Sequence, residues 1–325
     1  MSFSLHDNYI IVNYHYVRNP ESDFSGIHPC SISEFERQIS FLSCHFTSVT
    51  IPELFRAAKE RRKGKFYTVT FDDGQNDQYQ NAAPLLKKYN AHATFFIITK
   101  TMEGFFPFTH KLHLILSRFL TQELINDYNS FLAYWYPKHT SQYAIPVDSR
   151  LTLMRRMHDD IPTANLKEMI HNILPWKEKE HFVNTLFSRL DFNEAEMANT
   201  FFMSRTAVAA LHKSGFSIGN HTHSHTPLNR QTETEIQEEL HFSQKYLEEI
   251  TGETPVLFCY PQSHNRESAE KIANILQKTG FSHAVTIEER AIQDSDRSFT
   301  IPRYDTNNIR DFLDKKSPFA KQKVT

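Results

Sequence analysis

Two separated segments of this sequence combine residue types that bind metal ions and transfer protons. Asp72 and Asp73 stand side by side, and His221, His223 and His225 alternate with small polar residues. One carboxylate and two imidazoles around a metal ion leave coordination positions open, as a catalytic site requires. A metal ion in such a site polarises a carbonyl group and acidifies a water molecule. A second carboxylate that does not bind the metal can then act as general base.

The spacing of these residues supports this interpretation against simpler ones. Adjacent carboxylates in an extended segment point to opposite sides, so one can face a metal and the other a substrate. A His-x-x-x-His pair shares one face of a helical turn. The simpler alternatives are a surface turn at Asp-Asp-Gly and a polar loop in a chain with 18 histidines. A non-haem iron oxygenase also uses two histidines and a carboxylate, but oxygen activation needs no free carboxylate beside them.

Alternating strand and helix patterns place both segments next to the ends of strands. β-Rich runs predict the strands, and apolar residues at helical spacing predict the helices between them. Capping boxes at Ser33-x-x-Glu36 and Thr232-x-x-Glu235 predict two helix starts. The pattern predicts an α/β parallel sheet or barrel, which binds ligands at the carboxyl ends of its strands. Predicted strands cover 9–14, 66–71, 93–98, 216–219, 256–260 and 281–287, and predicted helices 78–89, 204–214, 232–252 and 268–279.

The stretch from about residue 101 to residue 200 interrupts this alternation. It contains helical patterns at 111–120 and 151–157 and few strand patterns. About 100 residues are too many for an ordinary loop. We therefore predict a single catalytic domain over 1–325, interrupted by a largely helical insertion at about 101–200.

Composition and charge exclude several other classes of protein. The formal net charge is −2, the chain has only 8 glycines, and neither a G-x-G-x-x-G nor a P-loop motif occurs. We therefore expect no nucleic-acid partner and no phosphate-binding glycine loop. Three cysteines without metal-site spacing indicate free thiols in a reducing compartment. With no signal peptide and no apolar stretch long enough to span a membrane, we expect a soluble cytoplasmic protein; the sequence does not indicate its oligomeric state.

Both segments resemble the motifs of one known family. Residues 70–74, Thr-Phe-Asp-Asp-Gly, are similar to the first motif of the polysaccharide deacetylase (NodB-homology) family. Residues 221–225, His-Thr-His-Ser-His, are similar to its second motif, His-[Ser/Thr]-x-x-His. Flanking segments at 14–16, 93–96 and 302–303 agree, so the resemblance covers about 9–100 and 200–305. The chain is identified as a divergent member with a helical insertion.

The resemblance implies a fold, a cofactor and roles for individual residues. It implies a distorted (β/α) barrel that binds one divalent metal, usually zinc, although cobalt, nickel, iron or manganese can also serve. The metal ligands would be Asp73, His221 and His225, and Asp72 would be the general base that activates water. A backbone N–H in the third motif, at Tyr260, Pro261 and Gln262, would complete an oxyanion hole.

The third motif and the general acid depart from the family pattern. Cys259 stands where many members have an Arg that orients the base, and Gln262 stands where they have Tyr. No histidine follows the late strand at 299–301, so the general acid is assigned to two candidates, His15 and His264. Arg303 is expected to pair with a carboxylate of the site, with an anionic substrate group, or in a structural salt bridge.

The predicted reaction is removal of an acetyl group from a sugar by metal-activated water, with N-acetyl favoured over O-acetyl. The expected substrate is an acetylated sugar or oligosaccharide, in particular a nucleotide-linked or lipid-linked glycan precursor. A deformylase or cyclic-amide hydrolase on the same barrel is one alternative. A catalytically degenerate domain that binds glycan is another. His223 lies between the two expected ligands and should point away from the metal, with a substrate contact as a less favoured interpretation.

Overall fold

Two compact units make up the chain in the computed structural model, which describes residues 3–145, 159–262 and 266–316. The first unit falls within Met1–Asn19, Pro29–Phe105 and Glu194–Thr325, and the second within Pro20–His28 and Phe106–Asn193. The prediction of one domain with an insertion stays a prediction. No sequence pattern indicates that residues 20–28 also belong to the second unit.

Parallel strands form the sheet of the first unit. Their order is β7-β6-β5-β4-β3-β1-β8, and β2 pairs with β3 beside this path. Every paired neighbour is parallel, as the alternation of strands and helices predicts. The strands are β1 (Tyr9–Tyr14), β2 (Thr47–Ser48), β3 (Phe66–Phe71), β4 (Ala93–Ile97), β5 (Ser217–Asn220), β6 (Leu257–Cys259), β7 (His283–Val285) and β8 (Tyr304–Asp305).

The segment 301–305 closes the curved sheet into a distorted barrel. Ile301 forms a parallel bridge with Val285 of β7, and β8 pairs with β1. The strand predicted at 299–301 therefore contributes a single bridge, and the regular strand begins only at Tyr304. Pro302 lies between them, and a proline has no N–H to continue a ladder of hydrogen bonds. The predicted fold class, a distorted (β/α) barrel, is confirmed.

Helices connect the strands of the first unit and form the second unit. In chain order they are α1 (Ile32–His45), α2 (Ile51–Lys59), α3 (Ala83–Lys88), α4 (Phe108–Arg118), α5 (Thr121–Trp135), α6 (Thr140–Tyr143), α7 (Ile161–Glu168), α8 (Trp176–Phe187), α9 (Glu194–Phe201), α10 (Arg205–Lys213), α11 (Glu233–Thr251), α12 (Arg266–Lys278) and α13 (Thr306–Lys316). The second unit contains α4 to α8 and, over its described residues, no strand. Of the helical runs predicted there, 151–157 lies outside the described residues. None of the helices so described is long and apolar enough to cross a bilayer.

Two helix starts test the capping boxes. The box at Thr232 is present, because its hydroxyl accepts a hydrogen bond from the Glu235 N–H and α11 follows. The box predicted at Ser33 is wrong. The preceding serine, Ser31, caps α1 instead and accepts from the Glu34 N–H at 3.2 Å. Both serines can cap a helix, and the sequence pattern alone does not choose between them.

The apolar interior of the barrel ends one layer below the carboxyl ends of the strands. Ile11, Phe96, Cys259 and Val285 come from four strands and belong to one buried cluster. Asn13 follows Ile11 by two positions, so its side chain lies on the same face of β1. The next layer towards the carboxyl ends therefore contains buried polar side chains, and it forms the floor of the candidate site.

Gly219 permits the close approach of β5 to β4. It pairs with Phe96, and a Cβ atom at this position would overlap the Phe96 ring and lie 3.2 Å from the Thr94 methyl group. Substitution by alanine must therefore displace a fully buried aromatic ring. Because His221 follows two residues later, this packing also sets the position of the histidine loop.

We expect Gly219→Ala to lower the free energy of unfolding by roughly 1–3 kcal/mol, the usual cost of an overpacked core. Urea unfolding of the wild type and the variant measures this change in the free energy of unfolding. Adding Phe96→Leu to Gly219→Ala should recover part of the loss, because the ring causes the overlap. Unchanged stability in the single variant would show that the ring shifts at little cost.

Candidate active site

The predicted site residues meet at the carboxyl ends of neighbouring parallel strands. Asp72 and Asp73 follow β3, and His221 follows β5, while His225 belongs to the loop after β5. All four are at most 6% exposed. The structure therefore brings together the four residues on which the family resemblance depends, although their chemical roles stay predictions.

Asp73, His221 and His225 converge on one point. The Asp73 Oδ1 atom lies 3.4 Å from His221 Nε2 and 3.5 Å from His225 Nε2. One ligand atom from each of the three residues lies within 4.8 Å of the other two. Tetrahedral ligand atoms at about 2.1 Å from a zinc ion are about 3.4 Å apart. These three residues therefore fit a divalent cation.

The hydrogen bonding of His221 also fits a metal ligand. Its Nδ1 atom lies 2.8 Å from the carbonyl oxygen of Cys259. Because a carbonyl only accepts, Nδ1 carries a proton, and Nε2, on the side of Asp73, is the nitrogen left to bind a metal ion. A backbone carbonyl that orients a ligand histidine in this way is a common feature of metal sites.

A second group of potential ligands, Asp72, His221 and Cys259, also lies within 4.8 Å. The two members that distinguish this group are already engaged. Arg303 pairs with Asp72, and the Cys259 thiol contacts both Asp72 and Arg303. The group with Asp73 and His225 is therefore the better candidate metal site.

The backbone around the candidate ligands is strained. Asp73, Thr222 and His225 have φ angles of 73°, 67° and 60°, in the left-handed region that non-glycine residues seldom adopt. Such strain persists only where surrounding contacts hold it, and it costs on the order of 1–3 kcal/mol for each residue. Here the Thr222 N–H donates to Asn220 Oδ1 at 2.7 Å, and the His225 N–H donates to Thr222 Oγ1 at 3.0 Å.

Glu239 of α11 holds the other side of the histidine loop. Its Oε2 atom accepts from the N–H groups of His223 and Ser224 at 3.0 and 2.9 Å. Its Oε1 atom accepts from the Ser224 hydroxyl at 2.6 Å. One carboxylate therefore orders the segment between the two candidate histidine ligands. The histidine motif does not identify Glu239, because this residue lies fourteen positions beyond His225.

Asp72 forms a buried two-pronged ion pair with Arg303. The guanidinium Nη1 and Nη2 atoms lie 2.8 and 2.9 Å from the two carboxylate oxygens. Asn13 donates a further hydrogen bond to Asp72 Oδ2 at 3.1 Å, and its own side-chain oxygen accepts from Thr70 and Arg303. Of the roles considered for Arg303, the structure therefore shows the pairing with a carboxylate of the site.

This pairing keeps Asp72 ionised. Burial raises the pKa of Asp72, but the charge and hydrogen bonds of Arg303 outweigh it, and the pKa falls to about 2. Cys259 stands where many family members have an Arg. In this chain the guanidinium beside Asp72 belongs to Arg303, from another part of the barrel. The Cys259 thiol lies 3.4 Å from Asp72, and its pKa is raised, chiefly by burial. It is a neutral hydrogen-bond donor rather than a nucleophilic thiolate.

Of the two candidates for the general acid, His15 and His264, the structure describes only His15. His15 follows β1, and its Nε2 atom lies 3.8 Å from Asp72 Oδ2. Its side chain is 47% exposed, so it reaches solvent beside the carboxylate. The Gln78 amide donates to the His15 and Asp72 carbonyl oxygens and ties these two segments together. His264 lies outside the described residues.

The third motif offers few donors for an oxyanion. The Tyr260 hydroxyl lies within hydrogen-bonding distance of the carbonyls of Ala269 and Phe299, and its ring packs in the core against Phe258. The Tyr260 N–H points to the Val285 carbonyl at 3.5 Å. Pro261 has no N–H. Gln262 follows with a φ of 57°, which turns the chain sharply at the end of the motif.

Several residues of the site were missed by the sequence analysis. Asn13 and Thr70 contact Arg303, and Asn220 and Glu239 hold the histidine loop. The sequence could have identified Asn13, because it is a polar residue in an otherwise apolar strand. An unpaired polar group in a buried strand is costly, so such a residue is expected to have a hydrogen-bond partner. Nothing comparable distinguishes Glu239 among the many glutamates of α11.

Comparison with known proteins agrees with this geometry. A family model described as polysaccharide deacetylase matches residues 59–128 and 155–283 of this chain. The chain belongs to the polysaccharide deacetylase family. This confirms the resemblance read from the two motifs.

Individual members of the polysaccharide deacetylase family are distant from this chain. The poly-beta-1,6-N-acetyl-D-glucosamine N-deacetylase of Staphylococcus epidermidis is 26% identical over 227 residues, which cover 65% of this chain and 71% of that protein. A Staphylococcus aureus protein of the same name is 43% identical over 74 residues, covering 21% of this chain and 24% of that protein.

Solved structures share the fold. The Streptococcus pyogenes deacetylase PplD has a TM-score of 0.58 at 15% identity and covers 95% of this chain and 98% of its own. IcaB from Ammonifex degensii has a TM-score of 0.54 at 18% identity, covering 92% of this chain and 91% of its own. At such low identity these likenesses support the barrel rather than any particular activity.

Replacing Arg303 by Met is expected to lower the free energy of unfolding at neutral pH by roughly 3–5 kcal/mol, because the Asp72 charge stays buried without its partner. The folded-state pKa of Asp72 is about 2, against about 3.9 for an unfolded Asp. The pair therefore stabilises the protein fully above about pH 4, and this contribution is lost as the pH falls towards 2. The difference between wild type and variant in urea unfolding should narrow in acid.

The double variant Asp72→Asn, Arg303→Met serves as the control, because it removes both charges. It should be more stable than Arg303→Met alone. A cost below about 1 kcal/mol for the single variant, the level of an exposed ion pair, would contradict the buried pairing.

Proposed function

We propose that this chain is a metal-dependent hydrolase that removes the N-acetyl group from a hexosamine unit of an acetylated glycan. The observation that carries the proposal is the arrangement at the ends of β3 and β5. Three converging ligands, Asp73, His221 and His225, lie beside Asp72, a carboxylate that Arg303 holds in its charged form. A metal site with an adjacent, separately anchored carboxylate suits hydrolysis of an amide by water.

The donor set suits zinc. Two imidazoles and one carboxylate are ligands of catalytic zinc sites, and cobalt, nickel, iron or manganese can use the same set. A divalent cation bound there polarises the acetyl carbonyl and lowers the pKa of water. The identity of the metal is part of the proposal.

Asp72 is proposed to take the proton from the attacking water. Both of its oxygens are fixed by Arg303, so the carboxylate is held in one orientation. Arg303 keeps the carboxylate ionised and therefore able to accept a proton. That proton must then reach the leaving amine, which gains one when the C–N bond breaks.

His15 is the proposed general acid for that amine. It is the candidate whose position is known, it lies 3.8 Å from Asp72, and it is open to solvent. An acid next to the base can deliver a proton on the side of the amide where the nitrogen leaves. His264 stays an alternative from the sequence.

The developing oxyanion is proposed to accept from the Gln262 N–H. Of the three residues assigned to the third motif, Pro261 has no N–H, and the Tyr260 N–H is directed at the Val285 carbonyl. The positive φ of Gln262 turns its backbone at the carboxyl end of β6. A backbone donor survives the replacement of Tyr by Gln, because every non-proline residue supplies one.

The substrate class follows from the family rather than from the geometry. A relative is named for its action on poly-beta-1,6-N-acetyl-D-glucosamine, and this supports an N-acetylated hexosamine, in a polymer or an oligosaccharide, as the substrate here. Nucleotide-linked or lipid-linked sugars and a cytoplasmic location stay predictions. All described residues of the site belong to the first unit, so we propose that this unit carries the catalysis, with the helical segment as an insertion in a single catalytic domain.

Acetate release from N-acetylated glucosamine oligomers tests the reaction. We expect release by the wild type with zinc, a loss of roughly 100- to 10,000-fold in kcat for Asp72→Asn, and a smaller loss for His15→Gln, because each removes one proton-transfer group. Equal rates for the wild type and Asp72→Asn would contradict the assignment of the base. An unchanged rate for His15→Gln would exclude it as the acid.

The same assay separates the alternative functions. Release of formate, or of a ring-opened acid from cyclic amides, in place of acetate would favour the deformylase or cyclic-amide reading. Binding of the glycan without any release in the presence of zinc would favour a degenerate glycan-binding domain.

Glu239→Gln tests the metal site without reference to activity. Because Glu239 holds the loop between the candidate ligands, we expect zinc affinity, measured by calorimetry, to fall by roughly 10- to 100-fold. Glu238→Gln is the matched control, since it is an exposed glutamate one position earlier on α11. Equal zinc affinities for the two variants would show that the loop does not need Glu239.

A further inference from the structure

His223 is held in a fixed orientation between the two candidate histidine ligands. Its Nδ1 atom lies 2.9 Å from the hydroxyl of buried Thr99, and its carbonyl accepts from the Lys100 N–H at 3.0 Å. Its own N–H is bound by Glu239. Its ring is partly exposed, and no hydrogen bond to Nε2 is found among the residues that the structure describes. This nitrogen is therefore available to a ligand.

Phe242 extends this surface on α11. Its side chain is 59% exposed, whereas the apolar residues that α11 buries, Ile236, Leu240 and Leu247, lie on another face of the helix. The Phe242 ring centroid lies 6.1 Å from that of His223, with the ring planes tilted by 35°. An exposed aromatic residue alone needs no explanation. This one, however, packs beside a histidine of the active-site loop.

The position of the pair limits what it can contact. The Cα atom of His223 lies at most about 7.6 Å from the Cα atoms of His221 and His225, which are each two residues away. A ligand on His223 and Phe242 would therefore lie beside the loop that carries two of the candidate metal ligands. Because the His223 ring contacts Thr99 and Phe242 and is not one of the candidate ligands, the pair suits the sugar unit beside the one that reacts.

We propose that His223 and Phe242 form a saccharide subsite for the unit adjacent to the reacting hexosamine. The Phe242 ring stacks on the apolar face of the pyranose, and His223 Nε2 hydrogen-bonds to a hydroxyl or acetamido group of the same unit. On this proposal, the pair gives the protein a preference for oligomers over single sugars. This inference rests on the proposed deacetylase function and adds to it the residues that select a chain of sugars.

Kinetics on a series of N-acetylglucosamine oligomers, from the monosaccharide to the hexamer, tests the subsite. Phe242→Ala and His223→Asn should each lower kcat/KM for the longer oligomers by about threefold to tenfold, mainly through KM, since each removes one ring contact or one hydrogen bond. Activity on the monosaccharide should change little. Asn places a polar atom near the position of Nδ1 and can keep the contact with Thr99, while it removes Nε2.

Conservative variants and a control guard against indirect effects. His223→Gln, which places an amide near the position of Nε2, should retain part of the preference for oligomers. Val256→Ala changes another exposed apolar residue, at the amino end of β6, and should leave all rates unchanged.

Two results would overturn the subsite. One is an equal loss on monosaccharide and oligomers, which indicates general damage to the loop. The other is unchanged kinetics on all lengths. Failure of the wild type to release acetate at all would instead count against the proposed function, and binding of the oligomers to the wild type and Phe242→Ala, followed by calorimetry, then tests the subsite alone. Equal affinities would refute it.

Discussion

The pairing of Asp72 with Arg303 is the interaction on which the rest of the site depends. Both side chains lie where water cannot solvate them, with exposures of 5% and 2%. A charge in that position is tolerated only with an opposite charge and a full set of hydrogen bonds. Asn13, Thr70 and the Cys259 thiol complete that set. The polar layer above the apolar interior of the barrel is therefore needed to keep this buried ion pair stable, as well as for the proposed chemistry.

Cys259 connects this charged layer to the candidate metal ligands. Its thiol contacts Asp72 and Arg303, and its carbonyl holds the His221 ring by Nδ1. On the far side of the ligands, Glu239 and Asn220 hold a loop whose backbone would otherwise relax from its positive φ angles. The ligand geometry is thus fixed from two sides by groups that would not themselves touch a metal ion. Such preorganisation is what allows a site to act without rearranging first.

Much of this arrangement could be predicted from the sequence, and the limits have physical causes. Strand patterns and the two motifs located the sheet, its parallel connections and the four residues Asp72, Asp73, His221 and His225, because local periodicity and short spacing encode them. Arg303 was identified only as a residue with several possible partners. Its contact with Asp72 joins positions 231 residues apart, and no local pattern records such a separation. The same holds for Glu239, whose role depends on how α11 packs against the loop.

Closure of the barrel by the segment 301–305 gives the site an unusual dependence on chain order. The candidate ligands are all present once residue 225 has been made, yet the guanidinium that neutralises Asp72 arrives 78 positions later in the chain. A nascent chain that stops short of Arg303 would contain every candidate metal ligand and still expose an uncompensated carboxylate in the open barrel. Completion of the candidate site during synthesis is therefore tied to docking of the segment 301–305 between β7 and β1.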